Sequence, residues 1–156
     1  MEQQSLLTDI EFNPVLASTG KRFVNYLIDF IVYYILTFLG GLLFGVIGQM
    51  GVLGDDTGFA GLYLMVFTIF FLYYFLIELG FKGRSIGKLV TGTKAINEDG
   101  TNLNAKTAFL RTLCRFVPFE PLSVLFGERM WHDKWAHTYV IDVKKTEINN
   151  AAYQQY

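Results

Sequence analysis

Two long apolar segments constrain the fold of this chain more than any other feature. The first, residues 23–47, contains three clearly polar side chains, and the second, residues 59–79, carries one charge, Glu78, near its far end. At about 1.5 Å rise per residue, either segment can cross the roughly 30 Å hydrocarbon core of a bilayer as a helix. The sequence therefore predicts a mainly α-helical integral membrane protein with transmembrane helices at about 22–48 and 59–80.

We expect the first helix to stay in the membrane as an anchor. It is longer than the roughly 7 to 15 apolar residues of a signal peptide, and it ends in glycines rather than in a cleavage pattern of small residues. The overall composition adds little, because a hydrophobic fraction of 52% and a mean hydropathy of +0.33 are only slightly above those of soluble proteins. The clustering of the apolar residues identifies the membrane segments.

Basic residues flank the outer ends of the two predicted spans. The loop between the spans, residues 49–58, has two aspartates and no Lys or Arg. Since Lys and Arg concentrate on the cytoplasmic side of membrane segments, the N-terminus and the C-terminus are both predicted to be cytoplasmic, in the cell inner membrane. The basic residues that carry this prediction are Lys21 and Arg22 before the first span and Lys82, Arg84 and Lys88 after the second.

A third apolar segment, at about 104–126, differs from the first two because prolines interrupt it. Asn104 is placed to cap a helix, basic and apolar side chains then alternate at helical spacing, and Pro118 and Pro121 break the continuation. Lys and Arg lie on both sides of the segment, which argues against a simple third crossing. We expect either an interfacial helix or a broken, re-entrant helix that enters the bilayer beside the spans.

Two strand-like stretches predict a small cytoplasmic β-ribbon. They are "LVTGTKAIN", residues 89–97, and "HTYVIDV", residues 137–143, and both are rich in β-branched residues. The membrane domain is predicted to extend over residues 17–146. The polar ends, residues 1–16 and 147–156, are predicted to be flexible tails.

Asp29 is the residue of the first span that most needs explanation. A carboxylate at the centre of a transmembrane helix costs roughly 2.5 to 3.5 kcal/mol on insertion scales, so it should face protein or a wet cavity and have a partner. Arg22 lies nearly two turns earlier and shares the same helix face. If the spans are antiparallel, Asp29 comes level with Tyr73 or Tyr74, whose hydroxyl groups can donate to it.

Charged residues elsewhere in the chain are further candidates for partners. A re-entrant third segment would offer Arg111 or Arg115, and our hypothesis is that Asp29 pairs with one of them. Glu78 lies near the level of the start of the first span and can pair with Arg22. A structural role, in which these groups hold helices in register, is the alternative to a role in a transport pathway.

Three motifs in order resemble the RDD family of bacterial membrane proteins, named for one arginine and two aspartates. Arg22 and Asp29 begin the first span, "GRSIGKLVTGTKAINEDG" follows the second, and "WHDKWAHTYVIDV" contains Asp133. The resemblance extends from about residue 17 to residue 143 and implies that these three residues are the ones that name the family. His137 departs from the family pattern, which usually has a small residue there, and so does the third segment, which is unusually broken.

The function that we favour is a subunit of a transporter or channel for an ion or small solute. Members of the family are suspected of transporting an unidentified solute or ion, and Asp29 can bind a cation or carry a proton. Because two spans rarely enclose a path alone, we expect a homo-oligomer. Gly41, Gly45 and Gly48 share one side of the first span, where the second span or another copy can approach closely. The alternative is a non-transporting scaffold that binds a protein partner.

Other chemistry finds little support in the sequence. His132, Asp133 and His137 are close together, but on a helix only Asp133 and His137 share a face, and nothing completes a metal site. "GRSIGK" lacks the spacing and the final Ser or Thr of a phosphate loop, and no catalytic triad is visible. We expect no enzyme activity, cofactor, bound metal or nucleic acid partner. Asp133 is expected to accept hydrogen bonds from the backbone or an arginine.

Overall fold

Two long antiparallel helices form the frame of the protein. The computed structural model describes residues 14–51, 58–125 and 129–153. Helix α1 is Thr19–Gln49 and helix α2 is Gly58–Gly80, and each is long and apolar enough to cross a membrane. These bounds confirm that the two apolar segments form long helices, which are candidates for membrane spans.

Ring contacts fix the direction of α2 relative to α1. The ring of Tyr33 in α1 lies 5.3 Å from that of Phe70 in α2, while further along α1 a side chain added at Gly40 would meet Ile69 and Met65. The residue numbers fall in α2 as they rise in α1, so the helices are antiparallel. Away from this contact the apolar side chains are exposed, as expected of helices that face lipid.

The glycines on one side of α1 do not contact α2. A side chain added at Gly41 or Gly45 would have no atom within 4 Å, whereas Gly40 is the glycine that packs against α2. The prediction that this stripe packs against the second span is therefore wrong for these two residues. The rotation of α1 that buries its polar side chains turns the glycines outward. Contact with another copy through them stays a prediction.

The rest of the described chain is a set of short elements joined to one end of the helix pair. Helix α3 leads into strand β1, helix α4 is followed by a 3-10 helix, and helix α5 precedes strand β2 and the final helix α6. Their bounds are Ile86–Thr91 for α3, Thr93–Asn97 for β1, Ala105–Cys114 for α4, Glu120–Leu125 for the 3-10 helix, Trp131–Trp135 for α5, Thr138–Asp142 for β2 and Val143–Tyr153 for α6.

Strands β1 and β2 form the predicted ribbon. They pair antiparallel, from Thr93 opposite Asp142 to Asn97 opposite Thr138. The predicted first strand is too long, because residues 89–91 belong to α3, which ends at Gly92 in the left-handed conformation (φ 69°). His137, just before β2, is also left-handed (φ 51°). That conformation is uncommon for residues with a side chain, which fits the small residue that the family usually has there.

Both predicted tails are shorter than the sequence suggested. The Val15 carbonyl accepts from the Asp142 amide at 2.9 Å and Leu16 forms a bridge with Ile141, so the chain just before α1 is fixed to β2. Residues 147–153 continue helix α6. Backbone hydrogen bonds, which polarity alone does not reveal, extend the fold at both ends. Residues 1–13 and 154–156 lie outside the described part of the chain.

The third apolar segment is broken, as the prolines predict, and it packs along α2. The Asn104 side chain caps α4 by accepting from the Thr107 amide at 2.8 Å. The ring of Phe109 lies 5.7 Å from that of Phe71, and the ring of Phe116 lies 5.6 Å from that of Phe67. Helix α4 therefore points from the ribbon end of α2 toward its middle.

The ribbon brings the two ends of this segment back together. The chain leaves β1 at Asn97 and re-enters β2 at Thr138, and these two residues face each other in the sheet. Whatever path residues 98–137 take, it begins and ends at the same place. A single crossing of the membrane by this segment is incompatible with that pairing.

Gly87 provides a test of the close packing of α3 on α1. A methyl group at Gly87 would overlap the backbone carbonyl of Asn25, whereas one at Gly45 would meet nothing within 4 Å. We expect Gly87→Ala to lower the unfolding free energy in detergent by about 1 to 3 kcal/mol. The matched variant Gly45→Ala should leave it unchanged or raise it by up to about 1 kcal/mol. Equal stability of the two variants would contradict this packing.

Candidate functional site

Asp29 is buried and held by three uncharged donors. Its carboxylate accepts from the Tyr73 hydroxyl at 2.8 Å, from the Ser85 hydroxyl at 2.6 Å and from the Gly87 amide at 2.8 Å. The predicted contact with a tyrosine of the second span is confirmed. Hydrogen-bond donors that are fixed in place can replace the water around a carboxylate. The three donors therefore offset part of the free-energy cost of burying Asp29.

The short helix α3 is built to meet Asp29. Ser85 caps α3 by accepting from the Lys88 amide at 3.4 Å, while its hydroxyl hydrogen points to Asp29. Gly87 has no side chain, which lets its amide approach α1. The carboxylate therefore joins the first span to the chain that leaves the second.

Glu78 is the centre of a second set of contacts, which we call the charge cluster. Its side chain is fully buried, and three cations surround it. Lys88 Nζ lies 2.5 Å from Oε1, Arg111 Nε lies 2.9 Å from Oε2, and Arg115 Nη2 lies 3.1 Å from Oε1. The cluster consists of Glu78, Lys88, Arg111, Arg115 and Asp133.

Arg111 connects Glu78 to the chain after the third segment. Its Nη1 donates to Oδ1 of Asp133 and to the hydroxyl of Thr138. Burial alone would lower the pKa of the Arg111 guanidinium, but Glu78 and Asp133 outweigh burial and raise it. Likewise, burial alone would raise the pKa of Asp133, but the positive charges of Arg111 and Lys88 hold it well below its ordinary value. The arginine hydrogen bond expected for Asp133 is therefore present.

The structure corrects the predicted partner of Asp29. Within the described residues, the ion pairs of Arg111 and Arg115 are with Glu78 and Asp133, and no ion pair joins either arginine to Asp29. The reason is that α4 lies against α2, where Glu78 is within reach, while α3 occupies the space beside Asp29.

Arg22 is buried and lies beside Asp29 in the wall of a cavity. The sequence offered Arg22 as a partner for Glu78, whereas the cations that contact Glu78 in the structure are those of α3 and α4. The sequence analysis did not identify Lys88 as a site residue, because it treated Lys88 only as one of the basic residues after the second span. Its position between apolar neighbours in "SIGKLV", three residues after a capping serine, could have indicated that it is buried.

His132 and Glu120 form a buried pair next to the charge cluster. Nδ1 of His132 lies 2.5 Å from Oε1 of Glu120, and its Nε2 lies 3.4 Å from Oδ1 of Asp133. Burial, aided by the positive charge of Arg115, lowers the pKa of His132 below its ordinary value of 6.5. The neutral ring is thereby favoured. Since a carboxylate only accepts, Nδ1 carries the proton and donates to Glu120.

The two histidines do not form a metal site with each other. His132 is buried against Glu120, whereas the side chain of His137 is 80% exposed and lies 3.3 Å from Glu98. Across residues 14–51, 58–125 and 129–153, no three His, Cys, Asp or Glu side chains are placed to hold a metal ion.

Two cavities lie beside α1, one next to α3 and β2 and the other between α1, α2 and the third segment. The smaller, which we call the polar cavity, has a volume of about 20 Å³, enough for roughly one water molecule or an ion of that size. Its polar walls include one acid, Asp29, and three bases, Arg22, Lys88 and Arg115. The excess of donors favours a guest that accepts hydrogen bonds.

The larger, which we call the aromatic cavity, has a volume of about 140 Å³. Arg115 and Glu120 contribute its charges, and Tyr26 and Arg115 line both cavities, so the two adjoin there. Six aromatic side chains of the spans form the remaining wall: Tyr26, Phe30, Tyr33, Tyr34, Phe70 and Tyr74.

One comparison with known proteins gave a match. A sequence model of the RDD family matches residues 16–137, which is more than half of the chain, and proteins of that family are membrane proteins. The matched range contains Arg22, Asp29 and Asp133, the residues on which the resemblance rests. Neither a curated protein nor a solved structure matches the chain.

Replacing Glu78 tests the charge cluster. Glu78→Gln leaves three buried cations without their shared carboxylate, and breaking a buried ion pair from one side typically costs about 3 to 5 kcal/mol. We expect a loss of that order in the unfolding free energy measured in detergent. The control is Glu98→Gln, which removes an exposed partner of Arg129 and should have little effect. A Glu78→Gln variant as stable as the control would contradict the cluster.

The His132–Glu120 pair predicts how stability depends on pH. Because the pKa of His132 is lower in the folded protein, the unfolded chain takes up a proton first as the pH falls below 6.5, and stability decreases. His132→Asn keeps a donor near Glu120 but does not titrate, so its melting temperature should fall less between about pH 7.5 and about pH 5.5. The exposed-site control His137→Asn should keep the wild-type pH dependence. Identical pH profiles for all three proteins would contradict the pair.

Proposed function

The chain belongs to the RDD family of membrane proteins, and on that premise we propose that it is a subunit of a transporter or channel for an ion or small solute. The observation that carries the proposal is a pair of neighbouring cavities that share Tyr26 and Arg115 in their walls. An aromatic space between α1 and α2 lies next to a polar space at the end where the charged residues lie.

The positions of the wall residues support a path along the spans. Tyr33 and Phe70, whose rings are in contact, line the aromatic cavity near the middle of the helix pair. Arg22 and Lys88 line the polar cavity near the ribbon. Tyr26 lies between these levels, at the junction of the two cavities. A solute that moves between them has to pass Tyr26.

Asp29 acts in this proposal as an anchor for the path rather than as the group that carries an ion. Both of its oxygen atoms already accept from protein donors, and one of them accepts from two. A cation would have to displace these donors, and it would do so beside three basic side chains. The cavity walls therefore favour a solute with a hydrogen-bond acceptor or a negative charge.

The proposed arrangement in the membrane follows from the pairing of β1 with β2 and from the charges at the ends of the spans. Residues 98–137 would enter the bilayer along α2 and return as a re-entrant hairpin, since Phe116 reaches Phe67 while both ends meet at the ribbon. Lys and Arg near the ribbon support a cytoplasmic ribbon and cytoplasmic termini in a protein of the cell inner membrane.

We propose further that the protein is a homo-oligomer without enzyme activity. Two spans and one hairpin leave the aromatic cavity open toward the bilayer, because Phe30 and Tyr34 in its wall are 39% and 56% exposed. A second copy against this side would close the cavity.

A non-transporting scaffold is the second candidate, and one observation favours it. The charge cluster together with Glu120 contains three acids and three bases, so its charges balance without any bound solute. Such a set can serve purely to hold helices in register. The scaffold reading gives the cavities no role, which separates it from the transport reading by experiment.

Blocking the junction of the cavities tests transport. We would reconstitute the protein in liposomes containing a pH-sensitive dye, impose sodium, potassium, proton and small-anion gradients, and compare Tyr26→Trp with the wild type. The larger side chain should narrow the junction and lower flux by roughly tenfold or more, because the barrier needs to rise by only about 1.4 kcal/mol for each factor of ten.

The control is Tyr63→Trp, because Tyr63 lies on α2 with 64% of its surface exposed. It should keep wild-type flux at equal incorporation. Wild-type protein that moves neither these ions nor benzoate would contradict transport of an ion, and Tyr26→Trp with wild-type flux would contradict the path past Tyr26. A loss of folded protein in Asp29→Asn is expected under either function, because the carboxylate anchors α3.

A further inference from the structure

We propose that the aromatic cavity binds a single-ring aromatic carboxylate, with the ring among the aromatic side chains and the carboxylate toward Arg115. The inference rests on the proposed transport function and names the class of solute. It draws on the volume of the cavity, on the chemistry of its wall and on the position of Arg115 between the two cavities.

The volume matches one aromatic ring. An apolar cavity of about 150 Å³ in a protein core is known to bind benzene, and the aromatic cavity has about 140 Å³. The volume of the aromatic cavity is therefore that of about one ring.

The wall offers ring faces and ring edges at the spacing that aromatic groups prefer. Phe70 lies 4.9 Å from Tyr74 and meets Tyr33 edge-on at 5.3 Å, and Phe30 lies 4.5 Å from Tyr34. Aromatic pairs at separations of about 4.5 to 7 Å attract each other beyond the effect of burying their surface. A guest ring can extend this set of contacts, whereas an aliphatic solute of the same volume gains only burial.

Arg115 supplies the charge that an anionic guest needs. Its guanidinium lies 4.3 Å from the centre of the Tyr74 ring and donates from Nη2 to Glu78 at 3.1 Å. Its Nε is buried and has no hydrogen-bond partner among the residues that the structure describes. The Arg115 side chain lines both cavities, so a permanently charged group lies where they meet. Carboxylates bind guanidinium groups through short, charge-assisted hydrogen bonds.

The charges around the junction favour an anion over a cation. Beyond Arg115 the polar cavity has Arg22 in its wall and also Lys88, which pairs with Glu78. The acid in this wall, Asp29, already accepts from three protein donors. The acid in the wall of the aromatic cavity, Glu120, accepts from His132 at 2.5 Å. An aromatic wall can also attract a cation, but here the guanidinium of Arg115 already occupies the face of Tyr74 and would repel one.

Benzoate is the probe that tests the inference. We would measure its binding to the full chain in nanodiscs by titration calorimetry, with empty nanodiscs subtracted to remove partition into lipid. Benzyl alcohol keeps the ring without the charge, acetate keeps the charge without the ring, and tetramethylammonium carries the opposite charge. Benzoate should bind roughly tenfold or more tightly than each of the others, since it alone satisfies both the ring and the guanidinium.

A filled cavity supplies the matched variant. Phe30→Trp adds volume to the wall of the aromatic cavity, while Phe38→Trp changes a residue of the same helix that is 67% exposed and outside that wall. Benzoate binding should be lost in Phe30→Trp and kept in Phe38→Trp.

Several outcomes would overturn the inference. Equal binding of benzyl alcohol would remove the role of Arg115, tighter binding of tetramethylammonium would reverse the charge preference, and unchanged benzoate binding in Phe30→Trp would place the site elsewhere. A different result would contradict the transport proposal. Benzoate binding without any flux would leave a binding protein, whereas flux blocked by Tyr26→Trp without benzoate binding would leave a transporter of another solute.

Discussion

The fold depends on one buried carboxylate that is shared by three cations. Glu78 lies in the last turn of α2, Lys88 comes from α3, Arg111 comes from α4, and Arg115 directly follows α4. Each pair alone would repay little of the cost of removing charges from water, but together they satisfy the carboxylate on both oxygens. The position of the third segment therefore follows from Glu78, and so do the walls of both cavities, since Lys88 and Arg115 belong to those walls.

Asp29 and Glu78 show two ways of burying an acid in this protein. Asp29 accepts from hydroxyl and amide groups of α2 and of the chain that follows it, and so fixes that chain against α1. Glu78 instead gathers cations and fixes the third segment against α2. Arg111 passes the constraint on to Asp133 and Thr138, at the start of β2. The ribbon links these elements, because the chain before α1 and the chain after α2 both form backbone hydrogen bonds with it.

Much of this arrangement could be predicted from the sequence, where local pattern determined it. The two spans, the Asn104 cap, the ribbon and the tyrosine beside Asp29 follow from hydropathy, capping chemistry and the level of residues on antiparallel helices. The acids that pair with Arg111 and Arg115 could not be predicted from the sequence, because more than one acid could lie near them. The choice depends on which side of α2 packs against α4, and this is a matter of tertiary packing. Lys88 was missed for a related reason: α3 is a six-residue helix within a stretch that reads as a strand, stabilised by tertiary contacts to Asp29.

The depth of Cys114 is the measurement that tests the account most directly. It is the chain's single cysteine and lies at the end of α4, where the proposed hairpin is deepest. A spin label there should collide with oxygen and be shielded from a water-soluble nickel complex, as a label at Phe38→Cys in α1 would be in a Cys114→Ser background. If the Cys114 label instead resembles one at Lys134→Cys, in α5 near the ribbon, the third segment lies on the membrane surface. The cavities would then not lie at the level of the spans, and the proposed path would be wrong.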